Sequence, residues 1–211
     1  MTDRLIIASN NSYKISEIKS IIGGFFGVVL SQRESGVELE VDETGDTFEE
    51  NAMIKALALH SLDEAKCCAV LADDSGLCVD ALLGAPGVKS ARFAAGVSGH
   101  GEIDADTANN LKLLDLMRTV PDEKRGCAFV SCVALIMPDG TAYTARGECR
   151  GIVLRELQGA GGFGYDPLFF LPELHKSYAE LTPLEKNSVS HRGRALAELK
   201  KTLAEAGYGN A

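Results

Sequence analysis

The sequence predicts an α/β fold built on an elongated, mixed β-sheet with flanking helices, and three observations carry that prediction. A short apolar run at the start is followed at once by residues at helical spacing, the opening of an α/β chain. A second helix-then-apolar-run pair follows near residues 48–74. Two β-rich stretches in the second half are then joined by a turn signal and not by a helix, which breaks clean parallel alternation.

Taken in order, "RLIIAS" (4–9) reads as a buried strand, and "NSYKISEIKSIIGG" (11–24) as a helix with Ile15, Ile18, Ile21 and Ile22 on one face and Gly23–Gly24 as its stop. "VVLSQ" (28–32) and "GVELEV" (36–41) read as short strands. Thr47 and Glu50 form a T-x-x-E capping box, so a helix starts near Phe48 and runs to about Leu62. "CCAVLADD" (67–74) is a strand that feeds two carboxylates, and the following "LCVDALLGAPGV" passes into a loop. A helix over about 106–119 carries Leu111, Leu114 and Met117 on one face. "CAFVSCVALIM" (127–137) and "TAYTARGECRG" (141–151), joined by "PDGT", form a hairpin. The glycine-rich "QGAGGFGYDPLFF" ends in a short strand, and the segment from Leu181 onward is mostly helical, opened by Thr182, Pro183 and Glu185.

Composition limits the function classes. With 211 residues, 45% hydrophobic and 24% charged, the chain can build a substantial core as one soluble domain spanning 1–211. A net charge of −9 removes the basic footprint that a nucleic-acid partner would require. No apolar run approaches the roughly 20 residues of a membrane span, and the start lacks a signal-peptide layout, so no membrane partner and a cytoplasmic location are expected. The six cysteines include no C-x-x-C pair and read as reduced, mostly core residues.

The chemistry is concentrated in five places. "VLADDSG" (70–76) sets two carboxylates, Asp73 and Asp74, against an apolar strand, where an uncompensated charge costs several kcal/mol. Together with Glu43, in a loop before a helix, they offer oxygen ligands that suit Mg²⁺. Lys55, in the apolar helical stretch "AMIKALALH", is a candidate to offset their charge; many such lysines only extend to water. "SNNSYK" (9–14) lies between strand and helix, where exposed N–H groups and Lys14 could cradle phosphate, although Ser and Asn also serve as ordinary caps. In "GGFGYDP" (161–167), glycines permit close backbone approach while Phe163 and Tyr165 offer stacking surfaces and Asp166 an acceptor. "EKNSVSHRGRA" (185–195) gathers Lys186, His191, Arg192 and Arg194, which as an isolated run reads as a solvated helix face. Together these describe a site for metal, phosphates and a base.

In chain order, "SNNSYKISEI", "DETGDTFEENAMIKA", "ADDSGLCVDALLGAPGVKSARF", "GGFGYDPLFF" and "LTPLEKNSVSHRGRAL" resemble the motifs of the inosine triphosphate pyrophosphatase family, over residues 5 to about 200. The resemblance implies two lobes around a central cleft, a homodimer, Mg²⁺ as cofactor, and hydrolysis of a purine nucleoside triphosphate (ITP, dITP or XTP) to the monophosphate and pyrophosphate, which clears deaminated purines from the nucleotide pool. It implies that Ser9, Asn10, Asn11, Ser12, Tyr13 and Lys14 hold triphosphate. Asp74 would be general base and metal ligand, Glu43 would assist the metal, Ser75 would touch substrate, and Lys55 would act near the phosphates. Phe163, Gly164, Tyr165 and Asp166, with Lys186, His191 and Arg192, would bind the nucleoside. The first motif often begins Thr-Gly-Asn, whereas here it is Ser9-Asn10-Asn11; serine keeps the hydroxyl, and asparagine tolerates unusual backbone angles. The pyrimidine-directed Maf-like enzymes carry a Ser-Pro-Arg-Arg loop that this chain lacks. A nucleotide sensor without turnover would have no use for Asp74.

Overall fold

The computed structural model describes residues 3–96 and 103–208. In chain order the elements are β1 (Arg4–Ile7), α1 (Ser12–Ile22), β2 (Val28–Ser31), α2 (Phe48–His60), β3 (Ala69–Val79), α3 (Ala105–Leu116), β4 (Gly126–Ile136), β5 (Ala142–Val153), β6 (Phe169–Leu171), β7 (Lys176–Ser177), α4 (Pro183–Val189) and α5 (His191–Glu205), with short 3₁₀ turns between them. The strands form one sheet in the order β2-β1-β3-β4-β5-β6-β7. Strand β1 pairs in parallel with β2 and β3, while β6 pairs antiparallel with β5 and β7. The sheet is therefore mixed, with flanking helices, as the sequence predicts.

The chain divides into two compact units: Met1–Asp74, Ser131–Gly147 and Val189–Ala211 in the first, Ser75–Val130 and Glu148–Ser188 in the second. In the first unit the sheet is covered on both faces, and the period-2 pleat assigns the residues. Leu5 and Ile7 of β1, Ala69 and Leu71 of β3, and Val133 and Leu135 of β4 pack with Ile18 and Ile22 of α1 and with Ala195, Leu196, Leu199 and Leu203 of α5. Their strand neighbours Ile6, Val70, Ala72, Ala134 and Ile136 face the other way, onto Ala52, Ala56 and Leu59 of α2. Helix α2 begins with the expected capping box, in which Thr47 and Glu50 satisfy each other's backbone N–H.

In the second unit Phe129, Phe169 and Tyr178 form an aromatic cluster, with ring centroids 4.5 to 5.5 Å apart. The buried Arg125 guanidinium donates to the carbonyls of Met117, Val153 and Leu154. The Thr182–Glu185 box opens α4 as expected, and Ser190 then breaks the C-terminal helical segment by capping α5 on the Gly193 N–H.

Three expectations are corrected. Residues 36–41 form no strand: Val37 donates to the Gln32 carbonyl, the Gln32 amide donates to the Leu39 carbonyl, and the segment packs Val37 and Leu39 beside α2 without a pairing partner. Strand β3 does not stop at the carboxylates but continues to Val79, with Leu77 and Val79 buried. The acids lie within the strand because cations from helices meet them there. Helix α3 buries Ala108, Asn109, Asn110 and Leu113, whereas Leu111 is exposed. The buried face is partly polar, and an apolar-only pattern misreads it. The six cysteines are free thiols, four of them buried, and burial drives the Cys127 and Cys132 thiols above their ordinary pKa. Among the described residues no helix is long and apolar enough to cross a membrane.

Gly147 marks the tightest approach in the first unit: a Cβ there would run into the His191 carbonyl oxygen and the Ala195 nitrogen of α5. Replacing it with alanine is expected to lower stability by about 2–3 kcal/mol, because backbone has to move. Gly24→Ala, where a Cβ meets nothing within 4 Å, is the control and should leave the urea midpoint unchanged or slightly raised.

Candidate active site

The pleat of β3 decides the fate of its two carboxylates. Asp73 continues the series Ala69, Leu71 and so faces α1 and α5; Asp74 continues Val70, Ala72 and faces α2. On the first face Lys14 Nζ of α1 lies 2.9 Å from Asp73 Oδ2, and Arg192 Nη2 of α5 lies 3.1 Å from the same oxygen. The Ser131 hydroxyl of β4 donates to Asp73 Oδ1 at 2.5 Å. Arg192 also pairs with Glu17, one turn along α1 from Lys14. The side chain of Asp73 is fully buried; burial pushes its pKa up, but Arg192 and Lys14 outweigh that and hold it well below the usual carboxylate range.

On the second face Lys55 Nζ of α2 donates to Glu43 Oε1 at 2.7 Å, to the Asp73 carbonyl at 2.8 Å and to Asp74 Oδ1 at 3.1 Å. Burial pulls the Lys55 ammonium down, yet Asp74 and Glu43 outweigh it and its pKa is raised. Asp74 moves oppositely to Asp73. Burial and the neighbouring Glu43 raise it, and the pull of Lys55 and Lys14 does not cancel them, because Lys55 shares its charge between two carboxylates. Asp74 Oδ2 is buried and accepts no hydrogen bond among the described residues.

The segment Ser9–Lys14 is placed as expected, at the N-terminus of α1. Asn11 caps the helix by accepting from the Lys14 N–H at 3.1 Å, the Ser9 hydroxyl accepts from the Asn11 N–H, and Ser12 and Tyr13 are exposed. The asparagine substitution has a different use from the one anticipated. Neither Asn10 nor Asn11 has a positive φ, and Asn10 Oδ1 instead accepts from Gln32 Nε2 at 2.7 Å.

In the second unit Ser75 is half-buried on β3. Asp166 Oδ2 accepts from the Phe163 N–H at 2.9 Å and from Lys186 Nζ at 2.6 Å, and that ammonium sits 4.7 Å from the Phe163 ring centroid. The Tyr165 hydroxyl donates to the Ser90 carbonyl. The reading of "EKNSVSHRGRA" as a solvated face fails for three of its four cations: Lys186, His191 and Arg192 are buried, and only Arg194 is exposed. Arg192 pairs with both Asp73 and Glu17.

Three residues had no separate role in the sequence reading: Asp73 as counter-ion, Ser131 and Glu17. Glu17 stands three residues after Lys14 on one helix face, a spacing that could have revealed it. Nothing local distinguishes Ser131 from any other small residue of a buried strand.

The donor set fits a hard divalent cation. Three cations (Lys14, Lys55, Arg192) meet four carboxylates (Glu17, Glu43, Asp73, Asp74), so these pairs leave one negative charge in excess. On the α2 face Asp74 keeps an oxygen without a partner among the described residues. No group of three or more His, Cys, Asp or Glu among the described residues could hold a metal alone. Two carboxylates with open positions for water and phosphate are what Mg²⁺ takes.

Asp73→Asn is expected to lower stability by about 3–5 kcal/mol at neutral pH, since it takes the shared counter-charge from the buried Arg192 and the half-buried Lys14. Asp73 titrates lower in the folded chain than in the unfolded one, so its contribution is complete above about pH 4–5 and is lost as pH falls through the folded pKa. The stability gap between the wild type and Asp73→Asn should therefore narrow on acidification in urea titrations. A gap that widens would remove the charged role.

The sequence matches the Ham1 family over residues 5–202. It is 49% identical over 201 residues to a dITP/XTP pyrophosphatase of Geobacter sulfurreducens, covering 95% of this chain and 96% of that protein. A protein of the same description from Desulforamulus reducens is 47% identical over 200 residues, 95% of each chain. Among solved structures, the Staphylococcus aureus Ham1 protein superposes with a TM-score of 0.79 at 36% identity, over 96% of this chain and 99% of that one. A nucleoside-triphosphatase / dITP/XTP pyrophosphatase from Mycobacterium abscessus gives 0.69 at 44% identity, over 93% and 98%. With a mixed sheet of the expected kind and relatives matched over nearly their whole length, the chain belongs to the Ham1 family.

Proposed function

We propose that this protein hydrolyses non-standard purine nucleoside triphosphates, ITP, dITP and XTP, to the monophosphate and pyrophosphate. The observation that carries the reading is Asp74: a buried carboxylate with raised pKa, one oxygen tied to Lys55 and the other without a partner among the described residues. The relatives described as dITP/XTP pyrophosphatases support the same reading.

In the mechanism Asp74 and Glu43 would hold Mg²⁺, which when bound supplies charge neutralisation at the phosphates. Asp74 accepts a proton from the water that attacks the α-phosphorus; the bond from that phosphorus to the bridging oxygen breaks and pyrophosphate leaves. Lys55 fixes the Asp74 carboxylate and contributes positive charge, and Lys14 does so at the N-terminus of α1, where backbone N–H groups favour anions. Ser9, Asn10, Asn11, Ser12 and Tyr13 complete the triphosphate loop, and Ser75 contacts substrate. Phe163, Gly164, Tyr165, Asp166 and Lys186, with His191 and Arg192, serve the nucleoside. Hypoxanthine and xanthine carry a 6-oxo acceptor where adenine has an amino donor, so hydrogen-bond donors at the base reward the former. A cytoplasmic homodimer belongs to the same proposal.

Pyrophosphate release from ITP, XTP, GTP, ATP and dTTP, with and without EDTA, tests it. ITP and XTP should be preferred and EDTA should abolish turnover; a preference for ATP or dTTP would overturn the reading. Asp74→Asn should reduce turnover by about 10²–10⁴-fold, and near-wild-type turnover in that variant would remove the base role.

A further inference from the structure

Gly164, in the middle of "GGFGYDP", has φ +59, a conformation in which no side chain of its own could stabilise the backbone. Its two polar atoms are instead gripped by one helix. The Gly164 N–H donates to Asp106 Oδ2 at 2.7 Å, and Asn110 Nδ2 donates to the Gly164 carbonyl at 2.8 Å. Asp106 and Asn110 stand four residues apart on α3 and so share a face. The neighbouring Asn109 is occupied elsewhere, accepting from the Ala94 N–H and donating to the Ala91 carbonyl.

The peptide between Gly164 and Tyr165 is trans, so its N–H points opposite to its C=O. With the carbonyl drawn to Asn110, the Tyr165 N–H is turned away from α3, and no hydrogen bond among the described residues takes it up. It is a fixed backbone donor in the very loop to which base binding is assigned. A glycine in this region would otherwise let the peptide turn over at small cost and present an acceptor in place of the donor. A donor rewards a 6-oxo purine and leaves a 6-amino purine mispaired.

We propose that Asp106 and Asn110 are positioning residues for base choice, holding the Gly164 backbone so that the Tyr165 N–H is presented to the 6-oxo group. The proposal rests on the reading of this loop as the base site. Asp106→Ala and Asn110→Ala should each lower kcat/KM for ITP and for GTP by about tenfold, chiefly through KM, with little change for ATP. The ITP:ATP ratio then collapses while the ITP:GTP ratio is unmoved, since both of those bases carry the 6-oxo group. Asp106→Asn keeps an oxygen acceptor and should restore most of the ratio. Equal losses on ITP, GTP and ATP, or an unchanged ITP:ATP ratio, would overturn the proposal. Asp106 is exposed, so its two variants decide the matter even where the buried Asn110→Ala does not fold. Phe163→Ala is the separate check on the base site. A raised KM for ITP there, with Asp106→Ala silent, sinks the positioning role alone. An unchanged KM there sinks the base-site reading and this proposal with it.

Discussion

The pleat of β3 is the constraint on which the first unit depends. Successive residues of a strand face opposite sides, so two adjacent carboxylates cannot share one set of counter-charges. Each face has to supply its own. Helices α1 and α5 bring Lys14 and Arg192 to Asp73, and α2 brings Lys55 to Asp74. The same helices cover the apolar residues that precede the acids on β3, at Ala69 and Leu71 on one side and Val70 and Ala72 on the other. Covering the sheet and neutralising the site are therefore one arrangement. Displacing a helix would expose apolar surface and strand a buried charge together.

That arrangement separates the two acids chemically. Asp73 has two cations and a hydroxyl, and is held ionised. Such a carboxylate is a poor base, since protonation would forfeit every one of those contacts. Asp74 shares a single lysine with Glu43, keeps an oxygen without a partner among the described residues, and has its pKa raised. Two carboxylates whose environments drive their pKa values apart are the pattern expected where one group supports and the other reacts. The supporting member also fixes Lys14, so the position of the proposed phosphate loop is set from beneath by an anion that substrate need never touch.

Much of this was legible in the sequence, and the illegible part has a physical cause. Strand β1, helix α1, the Thr47–Glu50 box and the β4–β5 pair follow from local periodicity and capping, and appear where they were expected. So does the juxtaposition of Lys55 with the acids. The split between Asp73 and Asp74 is different in kind. The letters "DD" are symmetric, and what distinguishes them is which helices pack on each face, which is long-range. The run at 185–195 fails for the same reason. Arg192 looks solvated until Glu17 and Asp73, distant in the chain, meet its guanidinium. The β-like alternation of residues 36–41 was misleading because alternation reports a half-buried face, and that face is provided by α2 without a strand to pair with.

The polar interior face of α3 follows the same logic in the second unit. Asn109 and Asn110 are nearly buried where a helix of this kind would ordinarily place leucine, and each costs stability unless its amide is bonded. Their partners are backbone atoms of two loops, at Ala91 and Ala94 for one and at Gly164 for the other. A glycine-rich loop can approach a ligand closely because it lacks side chains, and for that reason it cannot fix its own peptide planes. The order has to come from outside the loop, through directional hydrogen bonds that an apolar face could not make. The asparagines that spoil the amphipathic pattern of α3 are thus what ties the adjoining loops to the helix, through directional bonds that a cleaner apolar stripe would not supply.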